Sequence, residues 1–167
     1  LRKIYLLPGM DGTGKLLQRF SGALSAHWEP TVLSYPRDEQ LSYDALIERI
    51  AAQVPTDGTP FALVAESFAG PIALALAQRG HPGLRALVLA VTFGATPRKH
   101  LIQLTRFLPL SWLLAQPIPC WVASRIMIGE DAPPEAANAL CGVLKEIEPE
   151  VIASRMDEVR DLNQCTE

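Results

Sequence analysis

Short apolar runs alternate with amphipathic stretches over the first half of the chain. Runs that are apolar throughout are typical of strands buried on both faces of a parallel sheet, and they lie at residues 3–7, 31–34, 60–65 and 84–91. Apolar positions at helical spacing predict helices at about 14–26, 43–54 and 68–79. Elements that alternate in this way predict an α/β fold, a parallel sheet with helices on both faces.

The pattern changes after residue 92. From His100 to Asp161 it is helical, and prolines at positions 109, 117, 119, 133 and 134 interrupt it. No further strand is predicted before the chain ends. We therefore expect two parts: an α/β core over residues 1–95 and a helical lid over residues 96–167.

Ser67 lies at the junction between the third strand and the third helix. A strand that delivers a serine onto a sharp turn, followed by a helix of small residues, is typical of a nucleophile elbow. Such a turn is crowded, and glycine is usual two positions before and after the serine. Here Ala65 and Ala69 occupy these places. The alternative is that Ser67 only caps the helix that follows.

A glycine-rich turn, Pro8 to Gly14, follows the first strand. Acyl-transfer enzymes with this strand and helix pattern place one oxyanion donor in such a turn, and the amide after the nucleophile, here that of Phe68, is the second. A rival interpretation is a phosphate-binding loop, because residues 9–15 match G-x-x-x-x-G-K. Leu16 stands where that loop needs Ser or Thr, and no strand ends in a suitable acidic residue, so this interpretation is disfavoured.

The two motifs, Leu7 to Gly14 and Ala65 to Gly70, together resemble the α/β-hydrolase superfamily. The similarity is greatest to a lipase- and esterase-like branch that includes plastid phytyl-ester synthases. The resemblance implies a serine-dependent carboxylic ester hydrolase or acyltransferase. Its nucleophile would be Ser67, its oxyanion amides those of Met10 and Phe68, and Asp11 would fix the turn. Residues 96–165 resemble the helical lid of that branch.

The catalytic triad is incomplete in this chain. In the superfamily the acid and the histidine follow the nucleophile, each after a later strand, and those C-terminal strands are missing here. His27 and His81 are expected to be structural or surface residues, so His100 is the one candidate base. The base and acid should then come from a C-terminal part outside this chain. The alternative function is a truncated, catalytically impaired module that only binds or associates.

Four further expectations concern side chains, a helix face and a strand. Glu66 is expected to be a solvated or sheet-edge carboxylate. Phe107, Trp112, Trp121 and the leucines between 101 and 114 are expected to pack the lid onto the site, where some could line an acyl pocket. The charged residues between 145 and 161 are expected to form a solvated helix face. The strand at 84–91 is expected to be an apolar sheet edge.

Composition and charge limit the classes of partner that this chain is expected to have. A net charge of −3 gives no basic footprint for nucleic acid, and no apolar run reaches the ~18 residues of a membrane span. Three cysteines, an odd count without metal-ligand spacing, are expected to be reduced thiols in a cytoplasmic protein. No leader segment is expected, and no cofactor or metal. The expected partners are a small-molecule ester with an apolar acyl group and, at the exposed edge, a second copy or a complementing C-terminal fragment.

Overall fold

The structure is a computed structural model, which describes residues 2–96, 103, 105–116 and 119–162. Its centre is a parallel four-stranded sheet of strand order β2-β1-β3-β4. The strands are β1 (Lys3–Leu7), β2 (Glu29–Val32), β3 (Phe61–Glu66) and β4 (Leu84–Ala90). The α/β class and the parallel sheet expected from the alternating pattern are confirmed.

Seven α-helices lie in the described part of the chain. Those between strands are α1 (Gln18–Leu24), α2 (Tyr43–Ala51) and α3 (Gly70–Gln78). Those after the sheet are α4 (Leu110–Ala115), α5 (Cys120–Met127), α6 (Pro134–Leu144) and α7 (Pro149–Asp161). Short 3-10 turns lie at Lys15–Leu17, Ser67–Ala69 and Thr105–Phe107. None of these helices is both long and apolar enough to cross a membrane.

Side chains of the two central strands alternate between two cores, because successive residues of a strand point to opposite faces. The odd-numbered residues of β1 and β3 join α2 and α3 in the main core; they are Tyr5, Leu7, Phe61, Leu63 and Ala65. The even-numbered residues pack on the α1 side; they are Ile4, Leu6, Ala62 and Val64. Burial on both faces explains why these two strands read as continuous apolar runs.

β2 begins two residues earlier than the run at 31–34 predicted, and it ends at Val32. Its register with β1 pairs Lys3 with Glu29 and Ile4 with Pro30. A proline has no N–H to give to a sheet, so it is tolerated on an edge strand such as β2. The predicted run at 31–34 therefore left out Glu29 and Pro30, which belong to the strand.

β4 is the other edge of the sheet. Val88 and Leu89 are 50% and 43% exposed, and Val91, just beyond the strand, is 93% exposed. The apolar edge expected at residues 84–91 is therefore confirmed for the described part of the chain.

The last helix packs on the sheet domain. Val159 of α7 joins the main core, and the Glu158 carboxylate accepts a hydrogen bond of 2.7 Å from the Tyr43 backbone N–H at the start of α2. Glu146, just before α7, pairs with Lys15 and Arg37. The solvated face expected between residues 145 and 161 is thus wrong in part, because these side chains bind other elements.

Cys120 and Cys141 form a disulfide that ties α5 to α6. The expectation of three reduced thiols is therefore wrong for this pair; Cys165 lies outside the described residues. The two cysteines are 21 positions apart, so the packing of α5 against α6 brings the sulfurs together. The cytoplasmic location, which was inferred from reduced thiols, stays a prediction.

Candidate functional site

Ser67 lies at the predicted corner, directly after β3. Its φ is +49°, in the left-handed region that side chains other than glycine seldom adopt. The chain then enters the 3-10 turn Ser67–Ala69 and α3. A strained serine between a strand and a helix is the backbone geometry of a nucleophile elbow.

Small residues surround this corner, as the crowding argument required. Ala65 and Ala69 are both fully buried. A Cβ atom placed on Gly70 would lie only 3.0 Å from the Phe93 carbonyl oxygen, because α3 runs close to the segment after β4. The Thr92 hydroxyl donates a hydrogen bond to the Ser67 carbonyl. This contact holds the strained peptide in place from the segment after β4.

Phe68 is anchored from the side of α2. Its ring stacks on Tyr43 with centroids 4.7 Å apart, and the Tyr43 hydroxyl donates to the Phe68 carbonyl at 3.1 Å. The Phe68 side chain is completely buried. The Phe68 ring and the peptide plane after Phe68 are thereby fixed by a ring contact and a hydrogen bond.

The turn after β1 lies against Ser67. A Cβ atom placed on Gly9 would be 3.6 Å from the Ser67 Cβ atom and 3.8 Å from the Glu66 Cδ atom. The structure thus places the turn that carries Met10 against the corner that carries Ser67 and Phe68, at the carboxyl ends of β1 and β3. Their chemical roles stay predictions.

Local hydrogen bonds fix the shape of this turn. The Gly12 amide donates to the Gly9 carbonyl at 3.0 Å. The buried Asp11 carboxylate accepts from the Thr13 amide at 2.8 Å and from its hydroxyl at 2.6 Å. Asp11 therefore makes the turn that was expected of it. The Lys15 ammonium, which a phosphate-binding loop would need, binds Glu146 at 2.6 Å instead.

Arg155 of α7 also reaches the turn, and the sequence patterns did not single it out. Its guanidinium donates to the carbonyls of Met10 (2.6 Å), Asp11 (3.1 Å) and Pro36 (2.7 Å), and the residue is 2% exposed. A signal was present in the sequence: Val151, Arg155 and Val159 follow one another at i, i+4 and i+8, so Arg155 lies on the apolar stripe of its helix.

Glu66 is not the solvated carboxylate that was expected. It is half-buried, and its Oε2 atom is buried without a hydrogen-bond partner among the described residues. Burial raises the pKa of Glu66 above its ordinary value, and the nearby Asp11 carboxylate raises it further, while the Gly9 amide lowers it in part. The Tyr35 hydroxyl nearby is likewise buried and unpartnered within the described residues, and burial raises the pKa of Tyr35 well above its ordinary value.

Neither of the two described histidines lies near Ser67. His27 follows α1 at the surface. His81 packs against the Phe61 ring, with centroids 5.3 Å apart, at the amino end of β3, whereas Ser67 follows its carboxyl end. The length of β3 separates them by roughly 15 Å at about 3.3 Å per residue. His100, the candidate base, lies outside the described residues.

The aromatic side chains expected to pack the lid onto the site are exposed instead. Phe107, Trp112 and Trp121 are 84%, 62% and 68% exposed, so that expectation is wrong for these three rings. Of the leucines, Leu110 is buried, and Leu114 packs against the cluster that contacts Met10. Apolar contact near the site comes from another set of residues: Met10 packs against the cluster formed by Val143, Ile147, Val151 and Ile152.

Comparison with known proteins is consistent with this geometry. No family model matches the chain. One curated relative, the chloroplastic phytyl ester synthase 1 of Arabidopsis thaliana, is 28% identical over 133 residues, which are 69% of this chain and 19% of that protein. The chain thus spans about a fifth of that relative's length.

Solved structures are similar over almost the whole chain at low sequence identity. MenH from S. aureus has a TM-score of 0.75 at 11% identity over 98% of this chain and 68% of its own. The enol-lactonase from Burkholderia xenovorans LB400 has a TM-score of 0.70 at 14% identity, over 98% of this chain and 66% of its own. A thermophilic esterase from Thermogutta terrifontis has a TM-score of 0.70 at 15% identity, over 99% of this chain and 66% of its own. The chain therefore has the α/β-hydrolase fold, as its paired motifs predicted.

Proposed function

We propose that this chain carries the nucleophile half of a serine-dependent carboxylic ester hydrolase or acyltransferase. The observation that carries the proposal is the strained Ser67 corner packed against the Gly9 turn. A left-handed φ at a residue other than glycine costs of order 1–3 kcal/mol, and such strain clusters at functional sites. The similarity to a phytyl ester synthase supports the same reaction class.

In this reaction the Ser67 Oγ attacks the carbonyl carbon of an ester and forms a new C–O bond. The bond to the leaving alcohol breaks, and the hydroxyl proton passes to that alcohol through a base. The backbone amides of Met10 and Phe68 stabilise the developing oxyanion. Fixed donors of this kind contribute several kcal/mol because they need no reorganisation during the reaction. Water or a second alcohol then accepts the acyl group.

A second candidate, an impaired module that binds or associates without turnover, is favoured by one observation. His27 and His81, the histidines that the structure describes, do not reach Ser67. A serine without a base is a weak nucleophile, and the base contributes typically 10²–10⁴-fold. His100 or a C-terminal fragment would supply that base under the first candidate.

The substrate and partner proposals follow from the same surfaces. An ester with an apolar acyl group suits the apolar cluster that packs against Met10. A second copy, or a complementing C-terminal fragment, suits the exposed β4 edge. We also propose residues 1–95 as the catalytic core and 96–167 as its helical lid. The cytoplasmic location is tested by whether the Cys120–Cys141 disulfide is present in protein isolated under alkylating conditions.

Hydrolysis of p-nitrophenyl acetate and of longer acyl esters tests the proposal. We compare the wild-type chain with Ser67→Ala and with Ser25→Ala, an exposed serine whose hydroxyl only bonds the Gly22 carbonyl. Intact-mass spectrometry should show an acyl adduct that Ser67→Ala lacks and Ser25→Ala keeps. Equal rates in wild type and Ser67→Ala, without an adduct, would exclude the nucleophile and leave the binding module. Loss of the rate in His100→Ala would identify His100 as the base.

A further inference from the structure

The turn that carries the Met10 amide is held from outside the sheet. Arg155 donates to two consecutive carbonyls of this turn, those of Met10 and Asp11, and to the Pro36 carbonyl after β2. One guanidinium on α7 thus joins the loops that follow two adjacent strands. A planar group with five donors in fixed positions can make these bonds simultaneously, whereas a lysine ammonium cannot match their geometry.

The turn is built to admit this side chain. Gly12 has a φ of +69°, and a Cβ atom on it would lie 2.8 and 2.9 Å from the two terminal nitrogens of Arg155. The Gly12 carbonyl in turn accepts a 2.7 Å hydrogen bond from the Tyr35 amide, and the Tyr35 ring lies beneath the guanidinium, 5.7 Å from its carbon. Glycine at position 12 is therefore required both by its backbone conformation and by the approach of Arg155.

Burying a guanidinium is costly unless its donors are bonded. Arg155 is 2% exposed, and the acceptors found for it among the described residues are the three carbonyls. Burial lowers the pKa of Arg155, while Tyr35 and Asp11 raise it in part. The turn cannot move away from α7 without leaving the buried charge with unpaired donors, so α7 opposes any displacement of Met10.

We propose that Arg155 is a positioning residue for the Met10 oxyanion amide. The Met10 carbonyl that it binds and the Met10 amide that would face the substrate lie on adjacent peptide planes joined at one Cα atom. Release of the carbonyl would therefore let both planes move, and the amide would lose its fixed position. This inference rests on the proposed function. It makes the last helix part of the site's support, in contrast to a cover that only opens and closes.

The test compares Arg155→Met and Arg155→Lys with Arg160→Met. Arg160 lies on the same helix and pairs with Asp157 and Asp161, so its loss removes charge without touching the turn. We expect amide exchange over residues 9–14 to accelerate at least about tenfold in Arg155→Met, less in Arg155→Lys, and not in Arg160→Met, with β3 amides as the internal reference.

The kinetic arm separates positioning from folding. The Ser67-dependent kcat for p-nitrophenyl acetate should fall about tenfold or more in Arg155→Met with KM within twofold, and Arg155→Lys should recover part of it. An equal acceleration of exchange in residues 9–14 and β3 would mean general destabilisation and overturn the proposal, as would an unchanged kcat with a freed turn. If Ser67→Ala leaves the wild-type rate unchanged, the proposed function fails. Exchange at residues 9–14 then still decides whether Arg155 holds the turn.

Discussion

Replacing Gly70 by alanine inserts a methyl group where α3 touches the segment after β4. The new Cβ would lie 3.0 Å from both the Thr92 Cβ atom and the Phe93 carbonyl oxygen, and closer still to the Thr92 hydroxyl. That hydroxyl holds the Ser67 carbonyl. The substitution therefore strains the corner at the proposed nucleophile without changing a polar group.

The change in the free energy of unfolding caused by Gly70→Ala is the sum of opposing effects. Alanine is the better helix former by about 1 kcal/mol. Overpacking costs about 1–3 kcal/mol, and displacing Thr92 loses a hydrogen bond of about 1 kcal/mol. The cost of overpacking and of the lost hydrogen bond exceeds the gain in helix propensity. We therefore expect Gly70→Ala to destabilise the protein by about 1–3 kcal/mol. At about 2–4 °C per kcal/mol in a chain of this size, the Tm should fall by several degrees.

Thermal and urea unfolding measure this change, with Gly22→Ala as the matched control. Gly22 lies inside α1, and a Cβ atom there meets nothing within 4 Å. The same substitution should therefore stabilise the protein at Gly22, by up to about 1 kcal/mol. The Ser67-dependent rate should fall in Gly70→Ala and stay unchanged in Gly22→Ala.

The double variant Gly70→Ala/Thr92→Ala checks the cause. Removing the Thr92 hydroxyl relieves the closest contact, so the two changes should be coupled by about 1 kcal/mol or more. If the free-energy changes of the two single variants simply add, the Thr92 side chain is not what the new methyl group clashes with. A Gly70→Ala protein as stable as Gly22→Ala would refute the close approach of α3 to the segment after β4.

Three further predictions concern other parts of the structure. Reducing the Cys120–Cys141 bond should lower stability by about 3 kcal/mol, the chain-entropy value for closing a loop with a sequence separation of 21; alkylation of both thiols without reductant would contradict the disulfide. The pKa of Glu66 is raised in the folded state, so its contribution to stability is present at low pH and is lost as pH rises through the folded pKa. Glu66→Gln should therefore raise the Tm near pH 8, by about 3 °C if the relieved cost is about 1 kcal/mol, and have little effect near pH 4; an equal gain at both pH values would show that ionisation is not the cause. At low micromolar concentration, light scattering should report a dimer or larger species for wild type and a monomer for Val88→Lys, since a charge blocks edge pairing; a wild-type monomer with amides 86–90 protected from exchange would refute edge pairing.

Features that depend on neighbours in sequence were predicted well. The helix predicted at about 43–54 is present as α2, and the Ser42 side chain caps it by accepting a 3.2 Å hydrogen bond from the Ala45 amide. The apolar positions of α2 at helical spacing, Leu46, Ile47 and Ile50, are buried. The Ser67 corner lies where a strand pattern with period two meets a helix pattern. Each of these is set by dihedral preferences and side-chain spacing within a few residues.

Features that depend on distant segments were missed or predicted wrongly. Trp112 and Trp121 were expected to pack the lid onto the site, yet whether an aromatic side chain is covered depends on which element lies opposite it. Glu66 was expected in solvent, but the turn after β1 covers it. The residues next to Glu66 in the sequence do not indicate that a distant segment covers its side chain.

By itself, the sequence determined the order of strands and helices, the two cores on either side of β1 and β3, and the corner at Ser67. Only the tertiary structure decided that Arg155, some 145 positions away, holds the Met10 turn, and that Cys120 meets Cys141. The physical reason is that helical and extended periodicity arises from interactions over a few residues, whereas these contacts arise from the packing of helices after the sheet. Packing of that kind follows from the shape and burial of whole surfaces, which no short segment contains.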